Sequence, residues 1–419
     1  MNIPVTVTAL MFASSHTLAQ HEHTAHPTPP KQQELTLFQS DMRRMTGMVP
    51  VDPMGATPMP GWQWMTMGIV RFGYNHQGGD RGDDDFESTN WFMWMGHHEL
   101  GPGRLTLMMM NSLEPATIPD PGSPHLFQTG ETFDGEPLVD YQHPHDFFMN
   151  LSVTYRASLS PNAGVWAQVA PVGEPALGPV AFMHRPSSGD NPSAPLGHHW
   201  QDSSHISYNV VTVGGGWNRL TLDGSAFHGA EPDEERWDVD GGKIDSYSGR
   251  ATAELSRRWS AQASFGHLHE PEPTEPGDLE RTTASLCYDA AGDGSAAFEL
   301  VWGRNEEAGE ASNSLLAEYA HQLSRAHQVY TRFEWVEKDE HLLATREEPE
   351  EPGPFADVTA LTLGYFCTSR ILGGQGLGAD VTFYLVPSSL EPEYGSSPVS
   401  IHVFARARWM EATGGTHHH

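Results

Sequence analysis

From residue 61 onward one pattern repeats: segments of about ten residues in which apolar and polar positions alternate. Phe147, Met149, Leu151, Val153 and Tyr155 alternate with Phe148, Asn150, Ser152 and Thr154. Leu361, Leu363, Tyr365 and Cys367 alternate with Thr362, Gly364 and Phe366, and Ile401, Val403, Ala405, Ala407 and Trp409 with His402, Phe404, Arg406 and Arg408. A period of two places one set of side chains on each face of a strand. The pattern predicts about sixteen strands, beginning near Trp62, Asn90, Arg104, Asp146, Gly164, Ser204, Arg219, Ser246, Trp259, Arg281, Ala296, Ser314, Gln328, Val358, Gly376 and Val399.

The connections are expected to alternate strictly between short and long. The short ones are 101–103, 160–163, 215–218, 257–258, 290–294, 324–327 and 371–374. The long ones, acidic or rich in Pro and Gly, include 75–89, 114–144, 174–203, 229–244, 270–279, 338–356 and 387–398. A soluble sandwich also alternates, but rims of such unequal loop length favour an all-β, transmembrane antiparallel up-and-down barrel over 61–412, with periplasmic turns and extracellular loops. An even strand count puts both termini in the periplasm. Trp62, Trp64, Tyr74, Trp259, Trp302, Trp335 and Trp409 near strand ends suit interfacial girdles.

Composition narrows this further. Only 38% of residues are hydrophobic, and no apolar run approaches the roughly 20 residues a spanning helix needs. A barrel tolerates such polarity because only alternate residues meet lipid. The 12 Trp, 11 Tyr and 18 Phe are too many for a solvated coil. A net charge of -31 excludes nucleic acid as a partner and favours cations, although acidic runs such as Asp80–Asp85 and Glu347–Glu351 read first as solvated loops.

Pro4 to Ala13 is apolar and Thr17-Leu18-Ala19 supplies small residues, so 1–19 reads as a signal peptide without the usual basic start. The expected location is the bacterial outer membrane, among lipid and lipopolysaccharide, with the oligomeric state open. Cys287 and Cys367 fall on strands four apart, which argues against a disulfide. His417–His419 are set aside as a tag remnant.

Three kinds of chemistry stand out. The first is soft-metal binding. Residues 20–60 have no strand period and read as a periplasmic extension or plug carrying His21, His23 and His26, then Met42, Met45, Met48, Met54 and Met59. Imidazole and thioether suit Cu(II) and Cu(I), and hard cations poorly. Met65, Met67, Met108 and Met110 fall on the expected lumen face of the first and third strands; Met93, Met95 and His97 share a face of the second whose direction the pattern leaves ambiguous. Methionine as flexible core filler is the competing reading. Asp140, His143, His145 and Asp146, with His184, His198, His199, Asp202 and His205, form a second histidine–carboxylate set in two long loops, suited to Zn, Cu or Ni or to holding a loop in the lumen.

The second is hydrolysis. His205, Ser207 and Asn209 alternate with Ile206, Tyr208 and Val210. Outer-membrane lipases carry a strand-borne His-x-Ser facing lipid, whereas here the apolar residues take that face and the pair is expected to point inward. The chain is therefore read as no enzyme. The third is permeation. Inward positions include Asp223, Arg250, Glu254, Glu299, Glu318, Arg332, Glu334, Asp380, Arg406 and Arg408, which line either an aqueous channel or an interior sealed by loops.

Several stretches carry a resemblance: Gln77–Gly82 with Asp83 and Asp84, Leu126–Thr132, Gln142–Asp146, Gly173–Arg185, Asn191–Trp200, Asp202–His205, Gly229–Pro232, Asp245–Ser248 and Trp302–Asn305. They resemble a family of uncharacterised bacterial outer-membrane β-barrel proteins associated with heavy-metal, notably copper, resistance genes, over residues 60 to 410. The His/Met-rich start is similar in composition to outer-membrane copper resistance protein B. The resemblance implies location and fold, leans toward copper ions, and defines no catalytic residues. Together these readings make transition-metal binding, resistance or passage the leading expectation, with a general porin-like channel for small solutes as the alternative and a lipid-modifying hydrolase third.

Overall fold

The computed structural model describes residues 61–274, 277–290, 295–347, 353–369 and 375–413. Within them sixteen long strands run antiparallel, each to its sequence neighbour: β1 (Gln63–His76), β2 (Asn90–Leu100), β3 (Gly103–Asn111), β4 (Phe148–Ser160), β5 (Ala163–Gly173), β6 (Ser207–Trp217), β7 (Leu220–His228), β8 (Ser246–Glu254), β9 (Trp259–His269), β10 (Asp278–Asp289), β11 (Ala296–Glu307), β12 (Glu310–Gln322), β13 (His327–Asp339), β14 (Phe355–Thr368), β15 (Gly376–Leu385) and β16 (Val399–Thr413). β1 pairs with β16 from Trp64↔Thr413 to His76↔Ile401, so the sheet closes on itself and leaves no edge. A short strand, Asp84–Glu87, extends the upper end of β1.

The alternation read from the sequence has a physical outcome. Val153, Val165, Val169, Val213, Leu222, Leu363, Leu377, Ile401 and Val403 are exposed on the outside. Between them Thr212, Thr221, Ser225, Ser264, Thr283, Glu318, Arg332 and His402 are buried inside. The outward set makes the apolar belt a bilayer requires, and closure satisfies the backbone within it. Among the described residues no helix is long and apolar enough to cross a membrane. Cys287 on β10 and Cys367 on β14 are not joined in a disulfide.

Three expectations need correction. The loop lengths do not alternate strictly: β11 and β12 are joined on the long-loop rim by Ala308 and Gly309 alone. Their φ values of 50° and 89° are those of a tight hairpin that needs no longer loop. Met149 does not share the outer face with Leu151. A register shift at Met110/Asn111 against β4 inserts a bulge there, and Met149 turns into the core. At the start of β6, Tyr208 and Val210, and Ile206 just before it, are buried rather than lipid-facing, while Asn209 takes a positive φ of 52° beside a register shift. This end of β6 lies under folded loops, so its inner side receives apolar residues.

Those loops fill the lumen. The 174–206 segment spans it from wall to wall. Ala176 N donates to Ser225 Oγ on β7 at 2.7 Å and Gly178 N to Ser264 Oγ on β9 at 2.9 Å. Leu196 N donates to Glu334 on β13 at 2.6 Å, and Trp200 Nε1 to Ser312 on β12 at 2.7 Å. On the far side Arg71 of β1 donates to Gly189 O at 2.7 Å, and Arg406 of β16 pairs with Asp190. The wall is thinned to receive this plug: a Cβ on Gly303 would lie 2.2 Å from Trp200 O, and one on Gly266 2.7 Å from the Leu177 side chain.

Candidate metal centre in the occluded lumen

Two donor-rich zones face each other inside the barrel. The first is the wall of β1–β4. Met65, Met67, Met93, Met95, Met108, Met110 and Met149 form one buried cluster with Met183 of the plug, Trp91, Ile206 and Tyr208. The second-strand methionines therefore face the lumen with the others, and His97 beside them is buried, with Nδ1 3.0 Å from Thr106 Oγ1. Register explains the grouping. Met65 pairs with Met95 and Met95 with Met108; Met67 pairs with Met93 and Met93 with Met110. Each row sets three thioethers abreast, about 5 Å apart at Cβ between neighbours.

The second zone is built from four loops. His143 and His145 come from the 112–147 loop and His198, His199 and His205 from the plug. Their rings form a closed circuit: 6.2 Å from His143 to His145, 5.4 Å to His205, 5.2 Å to His198, 5.3 Å to His199 and 6.3 Å back to His143. Phe182, next to Met183, stacks on His145 and meets His198 edge-on, joining the two zones.

Each imidazole on the inner side of the circuit is oriented through Nδ1. His145 donates to Glu114 Oε2 at 2.6 Å, His198 to Asp202 Oδ1 at 2.7 Å and His205 to the Asp202 carbonyl at 2.8 Å. Nε2 of His145 and of His205 is buried with no hydrogen bond. Orientation of one ring nitrogen by an oxygen acceptor, leaving the other free, is how metal-binding histidines are held. A cavity between the two large loops is lined by His125, His143, His145, Trp91, Met183 and Glu114.

On the outer side stand carboxylates. Glu131 contacts His143, and Glu231 and Glu272 lie 3.3 and 3.4 Å from His199 Nδ1. Arg236 donates to Glu131 at 2.7 Å and to Asp146 at 3.3 Å. Asp146 also accepts from Tyr208 at 2.5 Å, so its two oxygens are engaged by Tyr208 and Arg236. Burial lifts the Glu131 carboxyl to about 7, and burial with the Glu231 charge lifts Glu272 to about 8. Burial alone would lower His199, but Glu231 and Glu272 override it and push the ring up to about 10. His143 is held well below its usual range by burial and the Arg236 charge. Asp202, despite burial, is held low by Arg185 and His198. Among the described residues, Glu131, His199 and Glu231 bring their donor atoms within 4.8 Å of one another; the other such trio, Asp233, Asp238 and Asp240, is largely exposed.

The remaining expected residues divide cleanly. Asp223, Arg250, Glu254, Glu299, Arg332, Glu334, Asp380, Arg406 and Arg408 lie on inward faces, but many of them bind loops rather than line an open channel. Arg250 reaches Asp223 at 3.0 Å, Gly178 O and Glu174, and Arg332 reaches Glu318, Ser193 O and Ser188. Glu254 and Glu299 line a cavity beside Arg185. Asp380 binds His402 and Tyr330. Ser207 Oγ donates to Ser204 O at 3.0 Å, His205 is turned to Asp202, and Asn209 binds Gly242 O, so the three make no triad. His21, His23, His26, Met42, Met45 and Met48, like the signal peptide and His417–His419, lie outside the described residues. The sequence reading missed Glu114, Glu131, Glu231, Glu272 and Arg236. Glu131 and Glu231 do fall inside the stretches Leu126–Thr132 and Gly229–Pro232, while Glu114, Glu272 and Arg236 carried no signal.

In fold the chain is similar to an anion-selective porin from Comamonas acidovorans, with a TM-score of 0.53, 12% identity, and 83% of this chain and 100% of that one covered. It is also similar to Salmonella typhi OmpF in complex with daunomycin (TM-score 0.51, 10% identity, 83% and 97% covered). OmpTdeltaL8, a loop deletion mutant of an outer membrane protein of Vibrio cholerae, gives a TM-score of 0.50 at 10% identity, with 83% and 99% covered. No family model and no curated protein sequence matches it. With its apolar belt, its closure and its long-loop and short-turn rims, the chain is a sixteen-strand barrel of the bacterial outer membrane, porin-like in architecture.

Proposed function

We propose that this barrel handles transition-metal ions, copper foremost, on donors inside its lumen rather than serving as an open general porin. The observation that carries the reading is the continuity of the two zones: thioether rows on β1–β3 run through Met183 and Phe182 to a ring of five buried imidazoles. Soft sulfur beside borderline nitrogen suits an ion that passes between Cu(I) and Cu(II). The occupancy of the lumen by the 174–206 segment argues for selective handling over free diffusion. The His21–His26 and Met42–Met48 segment would add donors on the periplasmic side.

The experiment uses the full chain in detergent, with Ag(I) as a redox-inert probe for Cu(I). The triple variant Met65→Leu, Met95→Leu and Met108→Leu preserves core volume and costs little in packing. Wild type is expected to bind Ag(I) in the lumen and the variant to lose at least one equivalent. Equal binding by the two would remove the methionine role. Planar-bilayer recording separates the alternative: steady, large, copper-insensitive currents from wild type would establish the general porin instead.

A further inference from the structure

The outer carboxylates of the ring point to a second and chemically different site. We infer that Glu131, His143, His199, Glu231 and Glu272 form a centre for a borderline divalent cation such as Zn²⁺, which clamps four extracellular loops over the lumen. The centre shares His143 and His199 with the imidazole ring but takes its character from the outer carboxylates and involves none of the methionines.

The geometry leads to it. Two ligands of a tetrahedral zinc ion, each about 2.1 Å from the metal, lie roughly 3.4 Å apart. Glu231 and Glu272 stand 3.3 and 3.4 Å from His199 Nδ1. Glu131 joins His199 and Glu231 within 4.8 Å, and His143 lies against Glu131. At these separations the groups meet one another as ion pairs without well-directed hydrogen-bond geometry. His143 Nδ1, His199 Nδ1 and Glu131 Oε1 are buried and have none, in residues 8%, 5% and 8% exposed. Buried donors and acceptors gathered this closely, with only poorly directed contacts among themselves, suit a central partner.

Charge gives the sign of that partner. Three carboxylates gather here. Arg236 serves only Glu131 and is shared with Asp146, while Arg281 reaches Glu231 through Ser203 rather than directly. A dication would take the place of the protons that these buried carboxyls and the His199 ring otherwise hold, and bind the ring nitrogens at the same time. Oxygen and imidazole without sulfur select Zn²⁺, Co²⁺ or Ni²⁺ over Cu(I).

Topology gives the consequence. Glu131 and His143 come from the 112–147 loop, His199 from the plug, Glu231 from the 229–245 loop and Glu272 from the 270–277 loop. One ion would tie all four, much as a structural metal closes a small domain. Gly130 supports the convergence: its φ is +111°, and a Cβ there would lie 2.6 Å from the His199 ring.

The test compares full-length wild type with Glu231→Gln and with the double variant Glu131→Gln and Glu272→Gln, all stripped with chelator and reloaded with Zn²⁺. Bound zinc is counted, and limited proteolysis of the loops is followed with and without metal. The terminal histidines bind equally in all chains, so the difference isolates the centre. Wild type is expected to hold one zinc more than either variant and to gain at least tenfold protection of its loops on loading. A Co²⁺-loaded wild type should show the visible absorption of a low-symmetry nitrogen–oxygen site, a readout that needs no variant to fold. Zinc counts and proteolysis rates that are the same in wild type and variants would overturn the site and leave an ion-paired network only. The Met65, Met95 and Met108 variant should keep its zinc, so failure of either reading is recognisable by itself.

Discussion

Arg185 is the point at which the plug's seating on the wall can be measured. The residue is 1% exposed. Its Nη2 donates to Asp202 Oδ2 at 3.2 Å, and its Nε lies 3.5 Å from Glu318 Oε2 on β12. Asp202 in turn orients His198 and accepts from Phe182 N at 2.7 Å, so one guanidinium joins the histidine ring to the barrel. Arg185→Ala leaves Asp202 and Glu318 buried without this partner, with Glu299 and Glu334 also close enough to feel its charge. Removing one member of a buried pair costs about 3–5 kcal/mol, mostly through the charge left behind. Glu318 keeps Arg332 at 2.9 Å, which favours the lower half of that range. The expected result is a plug released from its seat while the strands stay paired: larger and noisier bilayer conductance, faster proteolysis within 186–194, and an unchanged barrel signal in circular dichroism. Adding Glu318→Gln removes one stranded charge and should recover part of the loss, since residues in one network couple by about 0.5–3 kcal/mol. Wild-type conductance and stability in Arg185→Ala, or strictly additive effects in the double variant, would refute the reasoning.

Two further outcomes test the wall. Gly303→Val drives a side chain into Trp200 O, a backbone atom with no rotamer to escape into; overpacking of about 1–3 kcal/mol should appear as earlier loop release in thermal proteolysis, with the strands intact. Leu222→Arg, on an outward position 56% exposed, should cost up to about 2–4 kcal/mol in bilayer refolding titrations, whereas Thr221→Ser on the inner face should be near neutral.

The barrel was legible because a lipid-facing wall imposes period two on every strand. Each observed strand begins within four residues of its expected start. The reading slipped where another force displaced the lipid: at the Met149 bulge, on β6 beneath the plug, and at Ala308-Gly309, where backbone conformation closed a loop expected to be long. The histidine ring was legible in its parts, since five of the six imidazoles grouped from two loops meet in it while His184 packs edge-on against Trp91, but its carboxylates were not. Glu114, Glu131, Glu231 and Glu272 come from three loops beyond the plug, and nothing local in the sequence marks their approach to the ring. A site assembled by tertiary contacts leaves no spacing to read.

The inward charges change meaning in the folded chain. On sequence alone they divide equally between lining water and sealing an interior. In the structure Arg71, Arg332 and Arg406 meet Gly189, Ser193, Ser188 and Asp190, and Glu334 accepts from Leu196 N. The residues that would line an aqueous path are thus the same ones that hold the segment occupying it. Opening would not require the wall to move: displacement of 186–196 would expose a charged lumen at once, and the cost would be the desolvated pairs it breaks. Loops joined above by the carboxylate centre would resist that displacement, because the 174–206 segment carries both His199 at one end of its path and Asp190 across the lumen at the other. Occlusion and metal binding would then be coupled through one continuous stretch of chain, with the barrel as the fixed frame against which it is held.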